Sequence, residues 1–177
     1  MAVTEDEERN DGTPTSWSAA IDNALYNHGA CDRMMLVSAG NTDFNILDEQ
    51  NYLDTLAVSS MQSPTQAVNA IAVGAYTELT VSNREGWTAI APPQGMSPMT
   101  RTSVMWRGKN PKPDIVMEGG NAAHHEILGN AELQEISMVS TNHEIPQRPL
   151  RLFNQTSAAT ALAARLAARI KTANPYL

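Results

Sequence analysis

Three stretches of this chain are short, unbroken apolar runs bounded by turn-forming residues: Met34-Met35-Leu36-Val37, Ala70-Ile71-Ala72-Val73-Gly74-Ala75-Tyr76 and Ile115-Val116-Met117. A strand with one face in water alternates polar and apolar residues. A run without alternation fits a strand covered on both faces, as in a parallel sheet. A fourth strand is expected at Ile136 to Val139. Helical periodicity precedes the first run, where Trp17, Ala20, Ile21, Ala24 and Leu25 recur at helical spacing as far as Tyr26. Ser16 is placed to cap that helix, and Gly29 in Asn27-His28-Gly29 to stop it in a left-handed turn. A last helix is predicted from Ser157 to about Thr172, with Leu162, Leu166 and Ile170 on one stripe. Strands alternating with helices point to an α/β fold around a largely parallel sheet.

At 177 residues the chain has room for one domain with a real core. Twelve Lys and Arg against nineteen Asp and Glu leave a net charge of 12 − 19 = −7, which argues against nucleic acid as the main partner. There is no apolar run of bilayer length and no signal-peptide pattern, so no membrane contact and a cytoplasmic location are expected. The single Cys31 excludes an intrachain disulfide and a Cys-built zinc site, and it fits a reducing compartment. Residues 1–14 hold Glu5, Asp6, Glu7, Glu8 and Asp11 and end in Asp-Gly-Thr-Pro, the pattern of a flexible acidic lead-in before a domain over 15–177. Two irregular stretches, Asn41 to Ser63 and Thr77 to Asn110, are long for connections in a compact domain. The second carries Pro92-Pro93 and Met96-Ser97-Pro98, and no internal repeat is visible.

Chemistry can sit in two places. Val37-Ser38-Ala39-Gly40-Asn41 directly follows a buried strand, and ligands meet parallel sheets at the carboxyl ends of strands. Ala39 and Gly40 let a substrate approach the backbone, and Asn41 offers a neutral donor for a developing oxyanion. A small-residue turn with a left-handed Asn is the plainer alternative. Thr156-Ser157-Ala158-Ala159-Thr160 opens the last helix. There Ser157 is either a cap or a nucleophile sitting among free N–H groups. Alanines at 158, 159, 161, 163, 164, 167 and 168 make that helix small almost all round, which predicts close packing inside a sheet protein.

Taken in order, Val37-Ser-Ala-Gly-Asn41, Ser63-Pro64 to Ala75, Lys112-Pro-Asp-Ile115 to Gly119, and Thr156-Ser-Ala-Ala-Thr160 form a series. This series resembles the C-terminal half of subtilisin-like serine peptidases, the subtilase family, from about Trp17 to Ile170. The resemblance implies part of a three-layer fold, a mostly parallel sheet flanked by helices. It implies Ser157 as the acylating serine, Asn41 as the oxyanion amide, and Ser38-Ala39-Gly40 as the wall of the primary specificity pocket. Peptide or protein would be the substrate, cleaved through an acyl-enzyme on Ser157. No cofactor and no metal follow from these residues. Calcium sites are common in the family, but no ligand loop in this sequence matches one.

The family's triad runs Asp, His, Ser along the chain, and about forty residues precede Asn41 without either upstream motif. Asp11-Gly12-Thr13 follows acidic residues rather than an apolar strand, and His28-Gly29 sits in a turn. The expectation is therefore a partial subtilase domain, lacking the Asp/His half and the C-terminal end. Such a chain would be inactive alone and prone to self-association through exposed edges, with the missing half as its partner. Gln155 stands where the family has Gly two residues before the serine, and Ala161 and Leu162 replace its usual Pro and His. A non-catalytic subtilase-like scaffold that binds a peptide or a partner is the competing reading. An α/β nucleotide-binding domain would need a phosphate loop, and Gly119-Gly120-Asn121 lacks its spacing and lysine.

The remaining candidates read as structural. His124-His125-Glu126 and His143-Glu144 fit solvated loops, because adjacent side chains diverge. Met34, Met35, Met117 and Met138 fit core filling, and Arg165 with Arg169 fits either a solvated helix edge or an interface.

Overall fold

A computed structural model describes residues 1–5, 11–29, 33–106 and 109–176. In chain order its elements are α1 (Ser16–Tyr26), β1 (Leu36–Ser38), α2 (Tyr52–Val58), β2 (Ile71–Thr77), β3 (Thr88–Ala89), β4 (Gly95–Met96), β5 (Ile115–Glu118), β6 (Ala123–His125), β7 (Gly129–Ala131), β8 (Val139–Thr141), β9 (Leu150–Leu152) and α3 (Gln155–Ala173). The three apolar runs supply β1, β2 and β5. Cys31 and the acidic residues Asp6 to Glu8 lie outside the described residues.

β2 is the central strand. On one side it pairs in parallel with β1, Val37 opposite Ala72, and on the other with β5, Ala75 opposite Met117. β4 runs antiparallel beside the far end of β2, with Met96 opposite Tyr76. Because side chains alternate across a strand, successive β1 residues enter different cores. Val37 joins Ile21, Leu25, Ala67 and Ala70 beneath α1, whereas Leu36 packs on the opposite face with Val73, Ala75, Ala159 and Ala163 beneath α3. Helices therefore cover both faces of β1 and β2, which is why these strands show no alternation. β5 departs from the expectation of a strand covered on both faces, since Ile115 and Val116 are 37% and 42% exposed. The fold is α/β.

Residues 1–5 lie along the outer edge of β1. The Ser38 N–H donates to the Met1 carbonyl at 3.1 Å, the Met1 ammonium donates to the Leu36 carbonyl, and Glu5 N–H donates to the Ser63 carbonyl at 2.9 Å.

Several expectations need correction. α1 is capped by Thr15, not Ser16: Ser18 N–H donates to Thr15 Oγ1 (3.1 Å) and Thr15 N–H donates to Ser18 Oγ (2.8 Å), a reciprocal box. The expected strand at Ile136 to Val139 is a short 3-10 turn, Gln134–Ile136, followed by β8, which pairs antiparallel with β9 outside the parallel sheet. Ile136 is apolar because it fills a core with Ala123 and Leu133, not because it is in a strand. Met34 is 64% exposed and outside β1, so it is not core.

α3 is buried only at Thr156, Ala158, Ala159, Thr160 and Ala163. Its nineteen residues extend about 28 Å at 1.5 Å each. The strands beneath it have three, seven and four residues, the longest spanning about 23 Å at 3.3 Å each. The helix overhangs its sheet, leaving Leu166 and Ile170 exposed at 43% and 46%, with Arg165 and Arg169 exposed beside them.

Candidate functional site

The carboxyl ends of β1 and β5 and the amino end of α3 converge. Ala39 N–H donates to the Val73 carbonyl (2.9 Å), extending the β1–β2 ladder by one residue before the chain turns at Gly40. Gly40 has φ +90°, and a Cβ there would lie 2.2 Å from Gln62 Oε1, so only glycine fits. Ser38 and Ala39 keep 2% and 0% of their surface, Gly40 is also buried, and Asn41 is partly exposed.

Asn41 meets α3 directly. Its side-chain oxygen accepts the Thr156 N–H at 3.1 Å and the Thr156 hydroxyl at 2.8 Å. A backbone N–H can only donate, so the atom facing it is Oδ1 and the amide nitrogen is the outward end. The Thr156 hydroxyl has one proton to give and lies 3.2 Å from the Gly40 carbonyl as well. Thr156 is fully buried.

The rest of the first turn of α3 is fixed from other directions. Asn154 accepts the Met138 N–H at Oδ1 (2.8 Å) and donates from Nδ2 to Ser137 Oγ (2.7 Å). Gln155 N–H donates to the Gly119 carbonyl at 2.7 Å, and Gln155 Nε2 donates to Glu132 Oε1 at 3.1 Å. Gln155 has φ +71°, the left-handed region in which glycine is unstrained and glutamine is not. The glycine of the family pattern thus corresponds to a backbone demand that persists here although the residue has changed. Gly119 is itself required, since a Cβ there would lie 2.5 Å from Ala75 Cβ.

Ser157 is half-buried on this turn. Among the described residues neither its hydroxyl nor its N–H has a hydrogen-bond partner. Unpaired N–H groups at a helix start leave positive potential around that hydroxyl. The structure thus brings Asn41 and Ser157 to one end of the sheet, 116 positions apart in sequence.

None of the four histidines hydrogen-bonds Ser157 among the described residues. His28 is exposed in the turn after α1, at φ +55°. His124 and His125 lie in β6, not in a solvated loop as expected, and both are half-buried. As neighbours on a strand they diverge. His124 Nδ1 is 2.8 Å from Asn130 Oδ1, while His125 Nδ1 accepts the Ile127 N–H (3.1 Å) and its ring lies 5.2 Å from that of Trp87. His143 is solvated. No group of three or more His, Cys, Asp or Glu among the described residues could hold a metal ion. No helix among the described residues is long and apolar enough to cross a membrane.

Sequence reading missed three contributors. Asn121, at the end of the Gly-Gly turn, is fully buried and satisfied: Oδ1 accepts from Ala91 and Ala122 N–H, and Nδ2 donates to the Leu79 and Ala91 carbonyls. Lys112, with a 5% exposed side chain, reaches Asp114 Oδ2 at 2.6 Å and the Ala70 carbonyl at 3.1 Å. The same Asp114 oxygen accepts the Ala72 N–H at 2.7 Å, tying the entries of β2 and β5 together. The third is Arg101, on the Asn41 backbone. Only Lys112-Pro-Asp-Ile115 carried any sequence signal, and it gave order along the chain rather than a contact.

An α/β protein with parallel central strands, a serine at the free-N–H end of a helix and a carboxamide beside it is the class that fold and site define. Residues 1–177, the whole chain, match the subtilase family (peptidase S8), and the chain belongs to that family of serine-type peptidases. No curated protein matches the chain.

Proposed function

We propose that this chain carries the nucleophile-bearing part of a subtilisin-like serine endopeptidase, with Ser157 as the acylating residue. The Ser157 oxygen attacks a peptide carbonyl carbon while its proton passes to a general base. The Asn41 amide nitrogen and the Ser157 N–H hold the oxyanion. The C–N bond then breaks, the amine leaves with the proton, and water hydrolyses the ester on Ser157. The family resemblance assigns Ser38, Ala39 and Gly40, all three buried next to Asn41, to the wall of the primary specificity pocket. The observation that carries this reading is the bond from Thr156 to Asn41 Oδ1, which turns the Asn41 nitrogen outward beside the Ser157 turn.

With no histidine bonded to its hydroxyl, Ser157 lacks a base among the described residues, and the chain by itself is expected not to hydrolyse peptides. Fluorophosphonate labelling followed by intact mass tests this, on the chain alone and on a form extended upstream to supply the family's Asp and His. Ser157→Ala is the control. Labelling of the extended form at Ser157, with the chain alone inert, is the expected result. No labelling of either favours the second reading, a non-catalytic scaffold that binds a peptide or partner. The left-handed Gln155 in the family's glycine position supports that alternative.

A further inference from the structure

Asn41 is held at its side chain by Thr156, but a carboxamide is only as well aimed as the backbone that carries it. The residue before it, Gly40, takes φ +90°, and past this joint Asn41 bridges Thr100 while Thr42 N–H donates to the Met99 carbonyl at 3.0 Å. Arg101 lies across this joint. Its Nε donates to the Asn41 carbonyl at 2.8 Å and its Nη1 to the Ser60 carbonyl at 3.1 Å. Ser60 is itself anchored: its hydroxyl accepts the indole N–H of the buried Trp106 at 2.9 Å, and it bridges Thr102. The guanidinium of half-buried Arg101 thus ties the Asn41 carbonyl to the Ser60 carbonyl, and its planar fork suits two acceptors at once.

We infer that Arg101 is a positioning residue for the oxyanion amide, holding the Asn41 backbone so that its carboxamide stays on Thr156 and its nitrogen stays turned outward. This rests on the proposed role of Asn41. Donors aimed in advance of the reaction are what stabilise an oxyanion, and their aim depends on supporting contacts of this kind.

The test reads the Thr156 amide. As the second residue of α3 its N–H has no acceptor within the helix, so Asn41 Oδ1 is its partner. Hydrogen exchange by NMR on the full chain therefore reports whether Asn41 is in place without requiring catalysis. Asn41→Ala calibrates the loss. Arg101→Ala is expected to speed Thr156 exchange about three- to tenfold, the range of one net hydrogen bond, with Ile71 and Val73 in β2 unchanged. Arg101→Lys, which keeps the charge but cannot fork, should fall between wild type and Arg101→Ala. If Asn41→Ala speeds exchange but both Arg101 variants leave it within twofold, the inference is overturned. It is overturned equally if Asn41→Ala has no effect. Should Arg101→Ala lose β2 protection as well, Arg101→Lys alone decides. A failure of Ser157 to label would sink the peptidase reading and leave these exchange rates as they are.

Discussion

The side-chain oxygen of Asn41 lies 2.8 Å from the hydroxyl of Thr156, a residue 115 positions later and next to Ser157. This bond joins the end of β1 to the start of α3, and it decides which end of the Asn41 amide faces outward. Thr156→Val keeps the buried shape and removes the hydroxyl donor. We expect a loss of about 1 kcal/mol in denaturant unfolding, with Thr156→Ser retaining most of the stability. Equal losses for Val and Ser would show that the methyl group, not the hydroxyl, matters at this site.

Gln155 sets two effects against each other. A non-glycine residue in the left-handed region costs roughly 1–2 kcal/mol. Glycine, in turn, costs roughly 0.5–1 kcal/mol in chain entropy and would forfeit the bond to Glu132. Gln155→Gly is therefore expected to leave stability within about 1 kcal/mol of the parent, while Gln155→Val, β-branched and without the amide, loses about 2 kcal/mol. Equilibrium unfolding of the two variants checks the order, and a Val variant as stable as the Gly variant would contradict it.

The Lys112–Asp114 pair is asymmetric in exposure, with side chains 5% and 37% exposed. Asp114→Ala leaves a buried ammonium without its counter-charge and the Ala72 N–H without its acceptor. Partial exposure of the carboxylate reduces the cost, to about 2 kcal/mol. Lys112→Met removes the charge from the buried side and should cost less, about 1 kcal/mol. Thermal melts that rank Lys112→Met as the more damaging change would refute this.

Acid should loosen the loop that leads into α2. The Asn51 N–H, then the Gln50 N–H and the Asn51 amide, hold the Asp48 carboxyl below the usual aspartate range, and the Asn45 N–H and amide do the same for Asp43. A lowered folded-state value means these groups add stability above the unfolded value and lose it as pH falls through the folded one. Melts carried from neutral pH into the acid range should therefore fall more steeply for the parent than for Asp48→Ala. Parallel curves would exclude the carboxylate.

The sequence by itself determined the elements with a strong local composition. β2 was legible because a strand covered on both faces needs unbroken apolar residues, β5 because its run is apolar and β-branched although Ile115 and Val116 stay exposed, and α3 because alanine favours helix. Order along the chain was legible too, since four motifs follow one another as in subtilases. Tertiary structure decided the rest. Ile136 looked like a strand residue because core filling and strand burial select the same side chain. α3 looked buried throughout because composition does not record where the sheet beneath a helix stops. Thr15 rather than Ser16 caps α1 through its reciprocal hydrogen bonds with Ser18, a role open to either hydroxyl residue by type. Thr156, Arg101 and Asn121 act through hydrogen bonds to residues 115, 60 and at most 42 positions away. A hydrogen bond depends on distance and direction at its two ends, and the chain between those ends leaves no pattern of it in the sequence.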